Sequence, residues 1–561
     1  MKKRLFAVLA ALSLGAATPP DTDWPHHAGQ FDEAGHAALT QITRANVSRL
    51  GLAWSLDLPG EQSLEATPLA VGGALYFTGA FSDVYAVSVR TGKLLWKHEA
   101  RVWEHNPAKM NHIFPLNRGC AHADGRIFSG TTDGRLIALD AKTGKLLWSV
   151  ETVDRDDRRT ITGAPRVFKG LVIIGHGGGD AGQRGYVTAY DQTTGRQVWR
   201  FYTVPGSPEE NRGDPAMELA AKTWGGEYWK TGTGGTAWNA MTFARNWIAS
   251  TLAPAIPGRT TRKSDLPAAA TTSTSPPSTL GAHNWQAMAF NPQTGLVYVP
   301  YIHLGMRFTK APDTFLGVVA VPELSGEPNE ERGALIAWDP VAQKARWTKW
   351  HRWLWNGGAL STAGGLVFQG TADGWLTAYD AESGEELWRF DAGLGIVAPP
   401  ISYSWRGVQY VSLLVGWVGP NPYGMGLMPT GWRYNAQPRR LLTFRLGGKA
   451  KLPPTAPYDE TVHPIIDPGF VPDPARVAAG RPLFAQCSGC HGKDGQSSGA
   501  PGPDLRESAL LLDADSFRAV VHEGALLPRG MPRFPALDDE KLEHVRHFLR
   551  AMAHKERERS R

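Results

Sequence analysis

Five copies of one short pattern, Ala-x-Asp-x-x-Thr-Gly-x-x-x-Trp, limit what this chain can fold into more than any other feature. The copies are Ala86…Trp96 (Ser88 in place of Asp), Ala138…Trp148, Ala189…Trp199, Ala337…Trp347 (degenerate over Pro340–Lys344) and Ala378…Trp388. Alternating apolar residues precede each Ala, as in Leu136-Ile-Ala-Leu139. The pattern predicts a strand, a Thr-Gly or Ser-Gly hairpin turn, and a second strand ending in Trp. One such unit cannot bury its own apolar face, so neighbours must stack. Radial stacking of four-stranded units makes a β-propeller, with the Trp and the turn docking one blade on the next. The 21 Trp and 63 Gly among 561 residues agree with a turn-rich, aromatic-rich β protein.

Near the C-terminus the chain reads Cys487-Ser-Gly-Cys490-His491. Two thiols followed directly by an imidazole form the attachment motif of a covalent c-type haem, with the cysteines as thioethers and the histidine as proximal iron ligand. Gly530-Met531-Pro532 follows, and Met531 suits the sixth position. A zinc site is the bland alternative, but no second Cys/His pair lies nearby to complete a tetrahedron. The third cysteine, Cys120, has no partner left, so no intrachain disulfide is expected. Residues 1–17 read as a signal peptide: Met1-Lys-Lys-Arg4, apolar Leu5–Leu14, then Gly15-Ala-Ala17. The apolar run is too short to span a bilayer, so export to a periplasm-like space is expected, with no transmembrane segment in the mature chain. The net charge of +6 is scattered, which does not indicate a nucleic-acid partner. It suits weak steering of an acidic redox partner.

The expected organisation is a propeller over 24–243 and 281–448, a Pro-rich stiff linker over 449–472, and a small helical haem domain over 473–561. In that domain Asp538 should cap a helix with Leu542, Val545, Leu549 and Met552 on one face.

These features together resemble the quinohaemoprotein members of the methanol/ethanol dehydrogenase family, which use pyrroloquinoline quinone (PQQ) and calcium. The local matches are Leu64-Glu-Ala-Thr-Pro68, Asn117-Arg-Gly119, Ile161-Thr-Gly-Ala-Pro-Arg166, Arg184-Gly-Tyr-Val-Thr-Ala-Tyr-Asp191, Gly234-Gly-Thr-Ala-Trp238, His283-Asn-Trp285, Trp355-Asn-Gly-Gly358 and Gly416-Trp417. The resemblance implies an eight-bladed propeller with PQQ near its axis. It implies Trp238 as the floor under the flat ring, and Arg118, Thr162, Asn284 and Trp417 as donors to its carboxylates and carbonyls. It places Glu65 at the ring edge, and Gly178, Gly179, Trp285 and Trp355 around the cofactor. It implies oxidation of a small alcohol by hydride transfer, with calcium as Lewis acid and an aspartate as general base. Electrons would pass singly to the haem and on to an acceptor such as a soluble cytochrome or copper protein.

The chain also departs from that pattern. Repeat tryptophans are 52, 51 and later 41 residues apart, but 148 separate Trp199 from Trp347, where the family has further complete repeats. About two blades are therefore missing. Residues 244–280 are foreign; Pro267–Ser278 lacks β alternation. Joining the last base of each codon to the first two of the next lets Ala253–Gly258 spell Thr-Gly-Asn-Pro-Trp. The same shift from Leu266 spells Pro-Gly-Gly-Gly-Asp-Asn-Leu-Tyr-Leu-Ala-Ser. Both are family-like, so the segment reads as translated out of frame. The calcium-binding Asn and the catalytic Asp of the family then have no counterpart, and no catalytic residue is assigned. Asp180 stands where the family usually has a calcium-binding Glu, and the family's adjacent Cys-Cys pair is absent. The expectation is a PQQ alcohol dehydrogenase by descent with impaired turnover; the alternative is a c-type electron-transfer protein on an inactive propeller scaffold.

Overall fold

The computed structural model describes residues 21–112, 116–156, 159–178, 183–230, 234–238, 241–244, 247–249, 272–275, 281–309, 318–321, 332–417, 434, 437–455, 461–497 and 502–559. The expected signal peptide lies outside them. Among the described residues the chain builds six four-stranded antiparallel blades and a small helical domain. The first blade comprises Leu69–Val71, Ala74–Thr78, Val84–Ser88 and Leu94–His98. The second runs from Ala121–Ala123 to Leu146–Glu151, and the third from Arg166–Phe168 to Gln197–Tyr202. After the foreign segment come Ala289–Asn291 to Lys344–His351, then Ala359–Thr362 to Glu386–Asp391. The last blade is made of Ile401–Trp405, Val408–Val415 and Arg439–Leu446, and its outer strand, Leu50–Leu58, comes from the N-terminal end of the chain. This pairing closes the ring. His36–Ala37 adds a parallel fifth strand to Ala359–Thr362.

The repeat has a physical reading in each blade. The Asp carboxylate caps the hairpin: Asp140 Oδ1 accepts from Thr143 N (2.8 Å) and Thr143 Oγ1 (2.7 Å). The Thr143 hydroxyl holds the Asp140 carboxyl below the usual carboxylate range, and Asp191 is held low in the same way by the backbone and hydroxyl of Thr194. The outer strand carries a bulge just before its Trp, so Trp148 falls opposite Ala138 and Trp96 opposite Ala86. The bulge turns the indole toward the next blade. Trp96 Nε1 donates to Ala141 O (3.0 Å), Trp148 Nε1 to Gln192 O (3.2 Å) and Trp347 Nε1 to Ala381 O (3.2 Å). Trp388 Nε1 donates to Leu50 O (3.1 Å), across the ring closure. The indoles of Trp96, Trp148 and Trp347 lie on the turn glycine of the following blade: a Cβ on Gly144 would sit 2.6 Å from the Trp96 ring, one on Gly195 2.9 Å from Trp148, and one on Gly384 2.7 Å from Trp347. Gly144→Ala therefore meets both a φ of +72° and the indole. It should cost about 2–4 kcal/mol and lower Tm by several degrees. An unchanged melting curve would refute the docking role of this turn.

The foreign segment is not wholly without pairing. Thr242–Ala244 pairs with Trp247–Ala249, and Thr272–Ser275 pairs with Gly305–Thr309, which also pairs with Val318–Val321. The short Thr/Ser run was expected to be linker, but threonine is β-permissive.

In the haem domain Asp473 caps the helix Pro474–Phe484 through Ala475 N (2.7 Å) and Arg476 N (3.1 Å). The helix Asp539–Arg559 crosses it at Gly480, where a Cβ would meet His544 O at 2.0 Å. Leu542, Val545, Phe548 and Leu549 are buried on its inner face, and Met552 packs against them. Asp538 accepts from Lys541 N (3.0 Å), as its capping role requires. The linker is held at both ends. Arg440 donates to Thr455 Oγ1 (3.1 Å) and Pro453 O (3.3 Å) on the propeller side. Arg550 lies over the Phe470 ring at 3.2 Å and pairs with Asp467 (3.1 Å) on the other.

Candidate functional site

Glu65, Arg118, Thr162, Asn284, Trp285 and Trp355 each lie a few residues before the innermost strand of a blade. Radial stacking brings such segments to one end of the ring, near its axis. The structure joins Glu65, Thr162 and Trp285, with Trp238, around one cation, the guanidinium of Arg118. Arg118 is almost fully buried. Its Nη2 lies 3.3 Å from Glu65 Oε2, and its Nη1 donates to Thr162 Oγ1 at 2.8 Å. Its guanidinium carbon is 4.9 Å from the Trp238 ring centre and 4.8 Å from that of Trp285. Trp355 stacks on Trp285, centres 6.5 Å apart and planes at 25°. Trp417 is buried on Gly395, where a Cβ would come 2.2 Å from its Nε1. Asn284 Oδ1 accepts from Trp285 N at 3.0 Å.

Close backbone approach positions these groups. Gly235-Thr236-Ala237-Trp238 runs over the end of the third blade, and only glycine leaves it room. A Cβ on Gly163 would lie 2.2 Å from Trp238 O, and one on Gly175 1.9 Å from Ala237 O. Gly416, at φ +104°, receives Leu64 N on its carbonyl (2.9 Å), which ties the Glu65 segment to that of Trp417. Burial pushes the Glu65 carboxyl up against the opposing effect of Arg118. Ser63 Oγ donates to Glu65 Oε1 at 3.3 Å, a support that nothing in the sequence singled out.

These residues fit a flat anionic quinone. The site offers indole faces, a buried cation, a hydroxyl and a carboxyl driven toward its protonated, donating form. Its rim also holds buried polar atoms without a hydrogen bond among the described residues: Gln62 Oε1, Thr67 Oγ1 and Gln286 Oε1. Gly178, at φ +93°, follows the strand Leu171–Gly175. Gly179 and Asp180 lie outside the described residues, so the geometry of the expected calcium ligand is not part of the site as built. Among the described residues no cluster of three or more His, Cys, Asp or Glu side chains gathers to hold a metal.

The second site is in the helical domain. Cys487 ends the turn that leads into the short helix Ser488–His491, and Cys490 lies within that helix. His491 is buried, and its Nδ1 lies 2.9 Å from Pro503 O. That contact fixes Nδ1 as the donor and leaves Nε2 as the lone-pair nitrogen for a metal. Gly502 is part of the seat, since a Cβ there would be 2.6 Å from His491 Cε1. Cys487 and Met531 both pack against the apolar cluster of Phe484, Phe517 and Phe548. Two thiols, an oriented imidazole and a thioether around an apolar core fit a covalent haem.

Comparison with known proteins agrees with both sites. The family model for the glucose/ethanol/alcohol dehydrogenase β-propeller domain, PQQ, matches residues 24–246 and 337–411. The model for cytochrome c oxidase, cbb3-type, subunit III matches residues 475–549. The chain is 37% identical to quinohemoprotein alcohol dehydrogenase ADH IIB of Pseudomonas putida over 667 aligned positions, covering 96% of the chain and 95% of that protein. It is 34% identical to the quinohemoprotein alcohol dehydrogenase of Comamonas testosteroni, covering 96% and 91%. Among solved structures it superposes on quinohemoprotein alcohol dehydrogenase ADHIIG of Pseudomonas putida with a TM-score of 0.82 at 32% identity, covering 96% of each chain.

Proposed function

The chain belongs to the quinohaemoprotein alcohol dehydrogenase family, and on that premise we propose that it descends from an exported enzyme that oxidised small alcohols to aldehydes with PQQ, calcium and haem c. The family implies PQQ and haem c as cofactors. One observation carries the assignment of the quinone site: Arg118, buried beside Trp238 and Trp285 and held by Glu65 and Thr162. When bound, the quinone would supply the hydride acceptor and the haem a one-electron relay.

The residues of this chain then have definite tasks. Trp238 supplies an apolar face. Arg118 draws a carboxylate and Thr162 fixes the guanidinium's direction. Glu65, with its carboxyl pushed up by burial, would face the ring edge. Asn284, Trp285, Trp355 and Trp417 enclose the space, and Asp180 remains the proposed calcium contact. Cys487 and Cys490 would anchor the haem, and His491 and Met531 would serve as ligands to its iron. A signal peptide at 1–17 and an acceptor such as a soluble cytochrome or copper protein complete the reading.

The same proposal includes impaired turnover. The relative's alignment runs over 667 positions against 561 residues here, so many positions of the relative have nothing opposite in this chain. The propeller model also stops at 246 and resumes at 337, across the segment read as out of frame. This supports the second reading, an electron-transfer protein on an inactive scaffold. PQQ binding separates the two. Titration with PQQ should quench tryptophan fluorescence, and Arg118→Ala should weaken binding by about 100-fold through loss of charge-assisted hydrogen bonds. No quenching in the unaltered chain, or equal affinity in the variant, would remove the quinone-site assignment.

A further inference from the structure

The turn that carries Met531 does not rest on the haem domain alone. Leu527 packs against Val102, which is fully buried, and Ala100, together with Phe81 and Trp103 of the propeller. Three residues on, Gly530 lies directly on the Phe81 ring: a Cβ there would come 2.5 Å from Phe81 Cζ. Gly530 is also held at φ +85°, where a side chain is strained. Its N–H donates to Leu527 O at 2.9 Å, and Met531 N–H donates to Leu526 O at 3.2 Å, so the docked residues and Met531 share one tight turn.

Phe81 itself is braced. Its loop is closed by Gly79 N to Asp83 O (2.8 Å) and Ser82 N to Gly79 O (3.1 Å). Glu61 grips the loop from behind, with Oε2 accepting from Ala80 N at 2.6 Å and Oε1 from Tyr85 OH at 2.6 Å. Asn117, next to Arg118, donates to Ser82 Oγ at 3.0 Å. The pad beneath the Met531 turn is therefore built into the first blade and is linked to the segment that carries Arg118.

We propose that the propeller is a working part of the haem's sixth-ligand site: Phe81, as a positioning residue, presses on Gly530 and keeps Met531 at the iron, so separation of the domains loosens the methionine. This rests on the reading of Met531 as the axial ligand. A thioether is a weak, neutral ligand, and a rigid turn limits the conformations it loses on binding. External packing of that turn would thus favour the ligated state.

The experiment uses the full chain with haem attached. The far-red absorption band of methionine-ligated ferric haem and the affinity of the ferric haem for imidazole are measured in the unaltered chain, Phe81→Ala, Gly530→Ala, the double variant and Met531→Ala. Phe81→Ala lies outside the haem domain and leaves that domain's own packing intact. It should keep covalent haem, diminish the band and raise imidazole affinity by about tenfold. Gly530→Ala should do the same, and the double variant should fall short of the product of the two single effects, because the clash disappears with the ring. If Met531→Ala changes neither readout, the ligand assignment itself fails. If Met531→Ala abolishes the band while Phe81→Ala leaves both readouts unchanged, or the pair acts independently, the positioning role of Phe81 is overturned and Met531 stands alone.

Discussion

Replacing both Cys487 and Cys490 with Ser is expected to abolish covalent haem entirely, while the unaltered chain keeps its haem through denaturation and acidic solvent extraction. The thioethers are the only covalent tie the motif provides, and serine cannot form them. Met531→Ala should act on the other face of the iron. Methionine raises the potential of a haem relative to weaker or harder ligands, and axial ligation spans about 0.8 V in proteins. A fall of roughly 0.1–0.3 V and a newly accessible iron are therefore expected. Redox titration and ligand-binding spectra check both effects. His491 should tolerate no substitution, because its Nδ1 contact with Pro503 O already commits the ring to present Nε2. Haem extracted from the denatured, unaltered chain would overturn the covalent assignment, however well the fold fits.

The blades were legible because their repeat is a local code. A small Ala opposite the Trp, an Asp that caps the turn and a Gly that accepts the neighbouring indole are each set by contacts within or next to the unit. The same code explains what was missed. Trp54 docks on Gly92 and donates to Val89 O (2.9 Å) as the repeat tryptophans do, but its strand comes from the far end of the chain, so no Ala-x-Asp turn precedes it. Ring closure of this kind is a long-range pairing without a local signature. The residues proposed for the quinone site came from the resemblance, and the place of Glu65, Arg118, Thr162, Asn284, Trp285 and Trp355 before innermost strands is what brings that group together. The glycines that seat them were not. Gly163, Gly175 and Gly395 resemble turn glycines in sequence, yet their role is to let another backbone or an indole pass. The linker was legible as Pro-rich, but not that Arg440 and Arg550 would hold its two ends. The docking of Gly530 on Phe81 joins residues far apart in sequence and follows only from how the two domains sit.

Ethanol oxidation by this chain, with PQQ and calcium supplied, is expected to be about 10³-fold or more below that of a version with the frame of 244–280 restored and the missing blades supplied from a relative. The turnover step needs a base for the alcohol proton, a metal contact and a closed pocket to hold the alcohol in line. A positioned base alone contributes about 10²–10⁴-fold, and members of one site do not fail additively. In the out-of-frame reading the expected base and one metal ligand have no counterpart, and the described ring has six full blades with only short paired strands in the foreign segment. Arg118, Thr162 and Trp238 are nevertheless in place, so cofactor binding and turnover should come apart: quenching by PQQ retained, dye reduction lost. That dissociation is the sharper observable, because a misfolded propeller would lose both. Comparable rates in the unrepaired and repaired proteins would mean that another carboxylate serves as base. Glu65 is then the first to replace, since it is a buried carboxyl beside Arg118 that burial already pushes up, and Asp180 is the second.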